Sequence, residues 1–244
     1  MNLIIDRGNT LTKAAVVDRG RIVSMQSFER LDMRRLDQFV GRCGAIDKAI
    51  ICSTAGDTEA LAQHLEGSVG LVLRFVPSRV AVPIGNDYLT PETLGADRLA
   101  AAVGATTLYP GRDLLIVDMG TAITIDLVEG GVYRGGNISP GMNMRFRALH
   151  DYTARLPLES ATDEIMTLGN TTSTAVGQGV MQGIVNEIEG YIESFSKKNR
   201  EISTIFTGGD AKHFVKRIKN AIFADCELVV CGLNRILDYN ANKE

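Results

Sequence analysis

The feature that most constrains this chain is that it opens each half in the same way. Residues 3–10 read LIIDRGNT and residues 115–122 read LIVDMGTA. Each is an apolar run ending in Asp, then any residue, then Gly, then a small hydroxyl or amide side chain. The two aspartates, Asp6 and Asp118, stand 112 residues apart in a chain of 244. After each copy comes an apolar segment, a glycine-containing turn (Asp18-Arg19-Gly20, then Glu129-Gly130-Gly131), another apolar segment and later helical stretches. Short apolar runs bounded by Gly, Asn and Asp read as strands and hairpins. The pattern predicts two copies of a β-β-β-α-β-α unit in an α/β protein, with a boundary near residue 113. Domains of 1–113 and 114–244 follow, their acid–Gly turns facing one another across a cleft.

In the first half, strands are expected over Asn2–Asp6, Thr12–Asp18, Arg21–Ser27, Lys48–Ser53 and Gly70–Val76, with helices over Leu31–Arg42 and Asp57–Leu65. The stretch Pro77–Pro91 holds three prolines and no clear period, which predicts a loop of the kind that carries function. Leu94–Thr107 reads as a helix. In the second half, strands are expected over Leu114–Val117, Ala122–Val128, Val132–Arg134, near Thr204–Thr207 and near Glu227–Val230. Helices are expected over Met142–Thr153, Ser173–Lys197, Ala211–Ile218 and Leu233–Asn240, with Gly135–Gly141 as a glycine-rich loop.

Composition narrows the class. With 45% hydrophobic and 23% charged residues, the chain has the apolar surface a folded core needs. Lys and Arg number 26 against 29 Asp and Glu, so there is no basic excess to neutralise a nucleic-acid backbone. No apolar run approaches a membrane span, and MNLIIDRGNT lacks the basic start and apolar stretch of a secretion signal. A cytoplasmic protein that binds neither nucleic acid nor membrane is expected. Cys43, Cys52, Cys226 and Cys231 form no CxxC pair, and the three histidines are scattered, so reduced thiols without a zinc site are expected.

Asp6-Arg7-Gly8-Asn9-Thr10 puts a carboxylate at a strand end beside a glycine that lets backbone approach a ligand. Asn9 and Thr10 add donors for phosphate oxygens. Next to phosphate, a carboxylate acts through Mg²⁺ or its waters. Such a turn alone is also an ordinary Asx-rich hairpin; the second copy, Asp118-Met119-Gly120-Thr121, favours a site for a metal-bound polyphosphate. Thr207-Gly208-Gly209-Asp210 lets a flat ring lie on backbone, and equally reads as a strand-to-helix turn capped by Asp210. Gly95-Ala96-Asp97-Arg98 opens a helix. Asp97 there satisfies the helix dipole, or, with Tyr88 nearby and Arg98 as a carboxylate clamp, it belongs to a substrate lip. No Walker A loop occurs.

In this order the pieces resemble the type III pantothenate kinases, within the acetate and sugar kinase, Hsp70 and actin superfamily. The resemblance rests on DRGNT (6–10), Asn86-x-Tyr88-x-x-Pro91-x-x-Leu94 running into GADR, DMGTAITID (118–126), GGNISPG (135–141), Gly169-x-x-Thr172-x-x-Ala175 and TGGD (207–210). It spans nearly the whole chain. It implies two ribonuclease H-like domains of the actin and sugar kinase type, and phosphoryl transfer from ATP to the hydroxyl of pantothenate, the first step of coenzyme A synthesis. By position, Asp97 would be the general base, and Tyr88, Gly95, Ala96, Arg98 and Thr172 would line the pantothenate site, Thr172 fitting the spacing better than Thr171. MgATP would be held by Asp6, Gly8, Asn9, Thr10, Lys13, Thr121, Gly208 and Gly209, with Asp6 on Mg²⁺ directly or through water. Asp118 would hold a monovalent cation, K⁺ or NH₄⁺, and the protein would be a homodimer. Another small-molecule kinase of the superfamily, or a non-catalytic transcription accessory factor, are the competing readings.

Overall fold

The structure, a computed structural model, describes residues 1–197, 202–218, 222–223 and 227–241. The chain divides into two compact units. One is built from Met1–Gly111, Gly131–Arg134 and Cys226–Glu244; the other from Arg112–Gly130 and Gly135–Asp225.

In the first unit, β1 (Asn2–Arg7), β2 (Thr12–Asp18), β3 (Arg21–Phe28), β4 (Lys48–Ser53) and β5 (Leu71–Arg74) form a sheet in the order β3-β2-β1-β4-β5. The hairpin strands pair antiparallel, and β1, β4 and β5 run parallel. The two-residue period of a strand sorts β1 into two faces. Leu3 and Ile5, with Ala14, Val16, Ala49 and Ile51 beside them, bury against α1 (Met33–Gly41) and α2 (Glu59–Glu66) through Leu36, Phe39, Leu61 and Leu65. Asn2, Ile4 and Asp6 point to the other face. There Asn2 Nδ2 donates to Asn234 Oδ1 at 2.8 Å and Asp238 Oδ1 at 3.0 Å. Both acceptors lie on the C-terminal helix, Leu228–Ala241.

That helix packs against the helix Ala96–Leu108 with almost no side chain between them. A Cβ on Gly104 would lie 2.1 Å from the Leu228 carbonyl oxygen, and one on Gly232 1.8 Å from that of Ala100. These two glycines are fixed by backbone contact. The helix also overturns two expectations. Glu227–Val230 is no strand, since the helix opens at Leu228, and the described residues from 227 on join the first unit rather than a domain 114–244. An apolar, β-branched run reads as a strand locally, and the close fit to the helix at residue 96 prevails.

In chain order the remaining elements are β6 (Gly85–Asn86), α3 (Ala96–Leu108), β7 (Asp113–Met119), β8 (Ala122–Glu129), β9 (Val132–Pro140), α4 (Met142–Asp151), α5 (Thr172–Ser196), β10 (Ile202–Thr207), β11 (Ile222–Phe223) and α6 (Leu228–Ala241). The second sheet runs β11-β10-β7-β8-β9-β6. Without β6, its order is that of the first sheet element for element, so the doubled unit read from the sequence is present. Its core gathers Val117, Ile125, Met181, Ile184, Phe206 and Phe214. The described residues contain no helix long and apolar enough to cross a membrane.

Three further expectations change. The loop Pro77–Pro91 contains β6. The glycine-rich segment 135–141 continues strand β9 to Pro140, and its glycines serve close approach. A Cβ on Gly136 would lie 2.1 Å from the Ile125 oxygen, and one on Gly141 2.3 Å from that of Gly120. The helix expected over Ala211–Ile218 shrinks to a single 3₁₀ turn, Ala211–His213, followed by turns. Cys226 lies outside the described residues; Cys43 and Cys52 are free thiols.

Candidate active site

In the first unit, β1 ends at Asp6 and Arg7, with Asp6 opposite Lys13 on β2 and Cys52 on β4. Opposed residues share a face, so the carboxylate, the ammonium stem and the thiol lie together. Asp6 Oδ1 is buried and has no hydrogen-bond partner among the described residues. Burial, and then the nearby Asp97 carboxylate, push the Asp6 pKa up to about 6; Lys13 opposes the shift and Glu227 adds to it. Lys13 Nζ pairs with Glu227 at 2.6 Å. Cys52 is fully buried, and burial together with Asp6 and Asp97 raises its thiol well above the usual range. It is held as the neutral thiol.

Past the strand, the Gly8 N–H donates to the Leu11 oxygen at 3.0 Å, and Asn9 and Thr10 are exposed on the turn. An orphaned, buried carboxylate oxygen beside an exposed amide and hydroxyl fits a hard cation or its waters, which supply the missing partner. Among the described residues no group of three or more His, Cys, Asp or Glu is arranged to hold a metal by itself. The donor set suits Mg²⁺ carried in with phosphate.

Helix α3 starts at the GADR motif. Gly95 precedes it with no side-chain cap, and a Cβ there would come within 2.7 Å of Asp97 Oδ1. Glycine is therefore what lets the Asp97 carboxylate occupy the helix entrance, where it also accepts the Arg98 N–H at 2.9 Å. Ala96 and Arg98 are buried. The Arg98 guanidinium carbon sits 5.9 Å from the centre of the Tyr88 ring. Within the first unit, then, Asp6, Lys13 and Asp97 are brought together, and so are Tyr88 and Arg98.

In the second unit, Asp118 pairs across to Thr207 on β10 and Thr124 on β8. Gly208 has φ of +94°, and a Cβ on it would lie 2.4 Å from Asp118 Oδ1 and from the Met119 oxygen. Both the backbone conformation and the space demand glycine there. The turn carries one residue more than its counterpart. The Met119 oxygen accepts from Asp210 N–H at 2.9 Å, where the Arg7 oxygen in the first unit accepts from Thr54 N–H at 3.0 Å. A Cβ on Gly209 would meet nothing within 4 Å, leaving open space above its backbone. Burial raises the Asp210 carboxyl; its side chain makes no cap to the following turn.

The Gly120-Thr121 turn is braced from behind. Gly141 N–H donates to the Thr121 oxygen at 3.1 Å, and Arg145 of α4 donates to the Pro140 oxygen at 2.8 Å and to Ser139 at 3.2 Å. Arg145 also pairs with Glu187 of α5. Thr171 is occupied as the cap of α5, its hydroxyl accepting from Thr174 N–H at 3.1 Å. Thr172 is exposed in the first turn of α5. Asp118, Gly208 and Thr207 thus form one group, and Thr121 stands on its own braced turn. Sequence reading missed Glu227, Arg145 and Cys52. Arg145 sits one helical turn after Gly141, a spacing that could have marked it, whereas Glu227 lies 214 residues from Lys13 and only the fold joins them.

Comparison with known proteins gives the family. A family profile for type III pantothenate kinase matches residues 2–194. The type III pantothenate kinase of Bacteroides fragilis (strain YCH46) is 43% identical over 243 residues, covering 98% of each chain. That of Christiangramia forsetii is 40% identical over 242 residues, covering 98% of this chain and 99% of its own. Among solved structures, the activator of the 2-hydroxyisocaproyl-CoA dehydratase from Clostridium difficile superposes with a TM-score of 0.55 at 14% identity, covering 99% of this chain and 96% of its own. MreB5 of Spiroplasma citri gives 0.52 at 12%, covering 99% and 97%. These distant likenesses show the fold, a two-unit α/β architecture, and the sequence matches over almost the full length show the rest: the chain belongs to the type III pantothenate kinase family.

Proposed function

We propose that the chain uses Asp97 as the base that takes the proton of the pantothenate hydroxyl while the terminal phosphoryl group of ATP is transferred to that oxygen. The reaction forms a phosphorus–oxygen bond to pantothenate, breaks the bond to ADP and yields 4′-phosphopantothenate, which opens coenzyme A synthesis. The observation that carries the reading is the gathering of Asp97, Asp6 and Lys13 at one end of the first sheet. Loose phosphoryl transfer asks for positioning and charge neutralisation, plus one acceptor for the hydroxyl proton.

Tyr88, Gly95, Ala96, Arg98 and Thr172 line the pantothenate site in this reading, Arg98 meeting its carboxylate. Asp6, Gly8, Asn9, Thr10 and Lys13 receive the phosphates, with Thr121, Gly208 and Gly209 for the rest of ATP. The orphaned oxygen of Asp6 supports its place on Mg²⁺, which when bound neutralises phosphate charge. Asp118, packed under Gly208, is assigned a monovalent cation, K⁺ or NH₄⁺. The protein is read as a cytoplasmic homodimer. Purified protein given ATP, Mg²⁺ and pantothenate should release ADP in step with 4′-phosphopantothenate. ADP release without that product, or no turnover at all, would remove the reading.

A further inference from the structure

Tyr88 belongs to a segment that is sewn down more firmly than its sequence indicates. Strand β6 runs parallel to the start of β9, with Asn86 opposite Tyr133. Gly85 N–H donates to the Gly131 oxygen and Asp87 N–H to the Tyr133 oxygen, both at 3.0 Å. A Cβ on Gly85 would come within 2.9 Å of the Val132 side chain, so the strand lies flat on its neighbour. Asp87 and Arg134 close an ion pair along the same edge. Asn86 Oδ1 then accepts the Tyr88 N–H at 3.0 Å and turns the chain outward. These ties fix the backbone. They leave the torsions of the Tyr88 side chain to be set by what the ring touches.

A second ring and a guanidinium lie against it. The ring centre lies 6.1 Å from that of Tyr133, with the planes inclined at 45°. The guanidinium of Arg98 lies over the Tyr88 ring. Tyr133 is fully buried, so it is the immobile member of the row, and tilted ring pairs at this separation attract. Arg98 is held in turn by the face of Tyr88, which orients its planar fork.

We propose that Tyr133 is a positioning residue for pantothenate: its buried ring sets the Tyr88 ring, which sets the Arg98 guanidinium. The inference rests on the reading of Tyr88 and Arg98 as pantothenate-lining residues. Tyr133→Leu is expected to raise KM for pantothenate by about 3- to 10-fold, with KM for ATP and kcat within about twofold. Tyr133→Phe, which restores the ring, is expected to restore the low KM. A residue that merely fills the core would not separate the two substrates in this way. If the Leu variant does not fold, Tyr133→Met carries the same expectation. Tyr88→Leu is measured alongside. An unchanged KM for pantothenate in Tyr88→Leu would overturn the reading of the site. A raised KM there, with folded Tyr133→Leu or Tyr133→Met unchanged or affected equally for both substrates, would overturn the positioning role alone.

Discussion

Burial of the Asp6 carboxyl, with Asp97 close by, raises its pKa from 3.8 to about 6. In the unfolded chain the group loses its proton near the lower value. The folded protein therefore holds a proton between about pH 4 and pH 6 that the unfolded chain has released, and above pH 6 it carries a charge it disfavours. The contribution of Asp6 to stability accordingly falls as pH rises through that window, by about 3 kcal/mol when complete. Asp6→Asn should raise the melting temperature of the nucleotide-free protein at pH 7, and the gain should shrink towards pH 4. The same variant should lose the thermal shift that MgATP gives the parent. A variant that melts below the parent at pH 7 would contradict this account. Because Mg²⁺ needs the ionised form, kcat/KM of the parent is expected to fall as pH drops below about 6. Asp97→Asn keeps the shape of the helix entrance and removes the basicity, so kcat should fall by roughly 10²–10⁴ while KM for ATP holds. If Asp97 served only the helix, turnover would persist and the loss would be a stability change of about 1 kcal/mol or less.

Among the elements, the paired turns make the sharpest contrast. Gly208 and Gly209 are neighbours with opposite surroundings: a methyl on the first strikes Asp118 and Met119, and one on the second meets open space. Gly208→Ala is expected to lower the melting temperature as well as activity, through strain at positive φ and displacement of Asp118. Gly209→Ala should leave the melting temperature nearly unchanged and raise KM for ATP, because its methyl occupies room assigned to the nucleotide. Equal melting losses in the two variants would contradict the assignment. At the Asp118 side of this turn, activity is expected to need K⁺ or NH₄⁺ and to fall strongly in Na⁺ alone; Asp118→Asn should weaken that dependence. Full parent activity in Na⁺-only buffer would end the cation assignment. The paired turns themselves were legible in the sequence because acid–Gly turns after apolar runs have a local physical signature, which β1 and β7 display. What was not legible depends on partners far away in the chain. Residues 227–230 carry β-branched residues suited to a strand, and the close backbone contacts of Leu228 with Gly104 and of Gly232 with Ala100 go with a helix instead. The strand Gly85–Asn86 is two residues long and has no period to read. Glu227 shows no local sign of its hold on Lys13.

At the scale of the whole molecule, the repeat in sequence becomes a repeat in topology, β3-β2-β1-β4-β5 matched by β9-β8-β7-β10-β11. The first unit takes in Gly131–Arg134 and α6, while β6, from residues 85–86, joins the edge of the second sheet. The return of α6 has a consequence for how the protein is made. As the chain leaves the ribosome, residues 1–111 emerge before the helix that covers Ala100 and Gly104 and supplies Asn234 and Asp238, with Glu227 just ahead of it. The second unit, whose strands and helices come from one almost continuous stretch, can consolidate first. The earlier-made unit has to wait with an uncovered apolar helix face, exposed to chaperones and proteases, until residues 228–241 have been made. Ribosome-bound chains arrested before residue 226 should therefore be cleaved by added protease within residues 1–111, while released full-length protein resists. Equal resistance in the arrested chains would show that α6 is dispensable for closing the first unit.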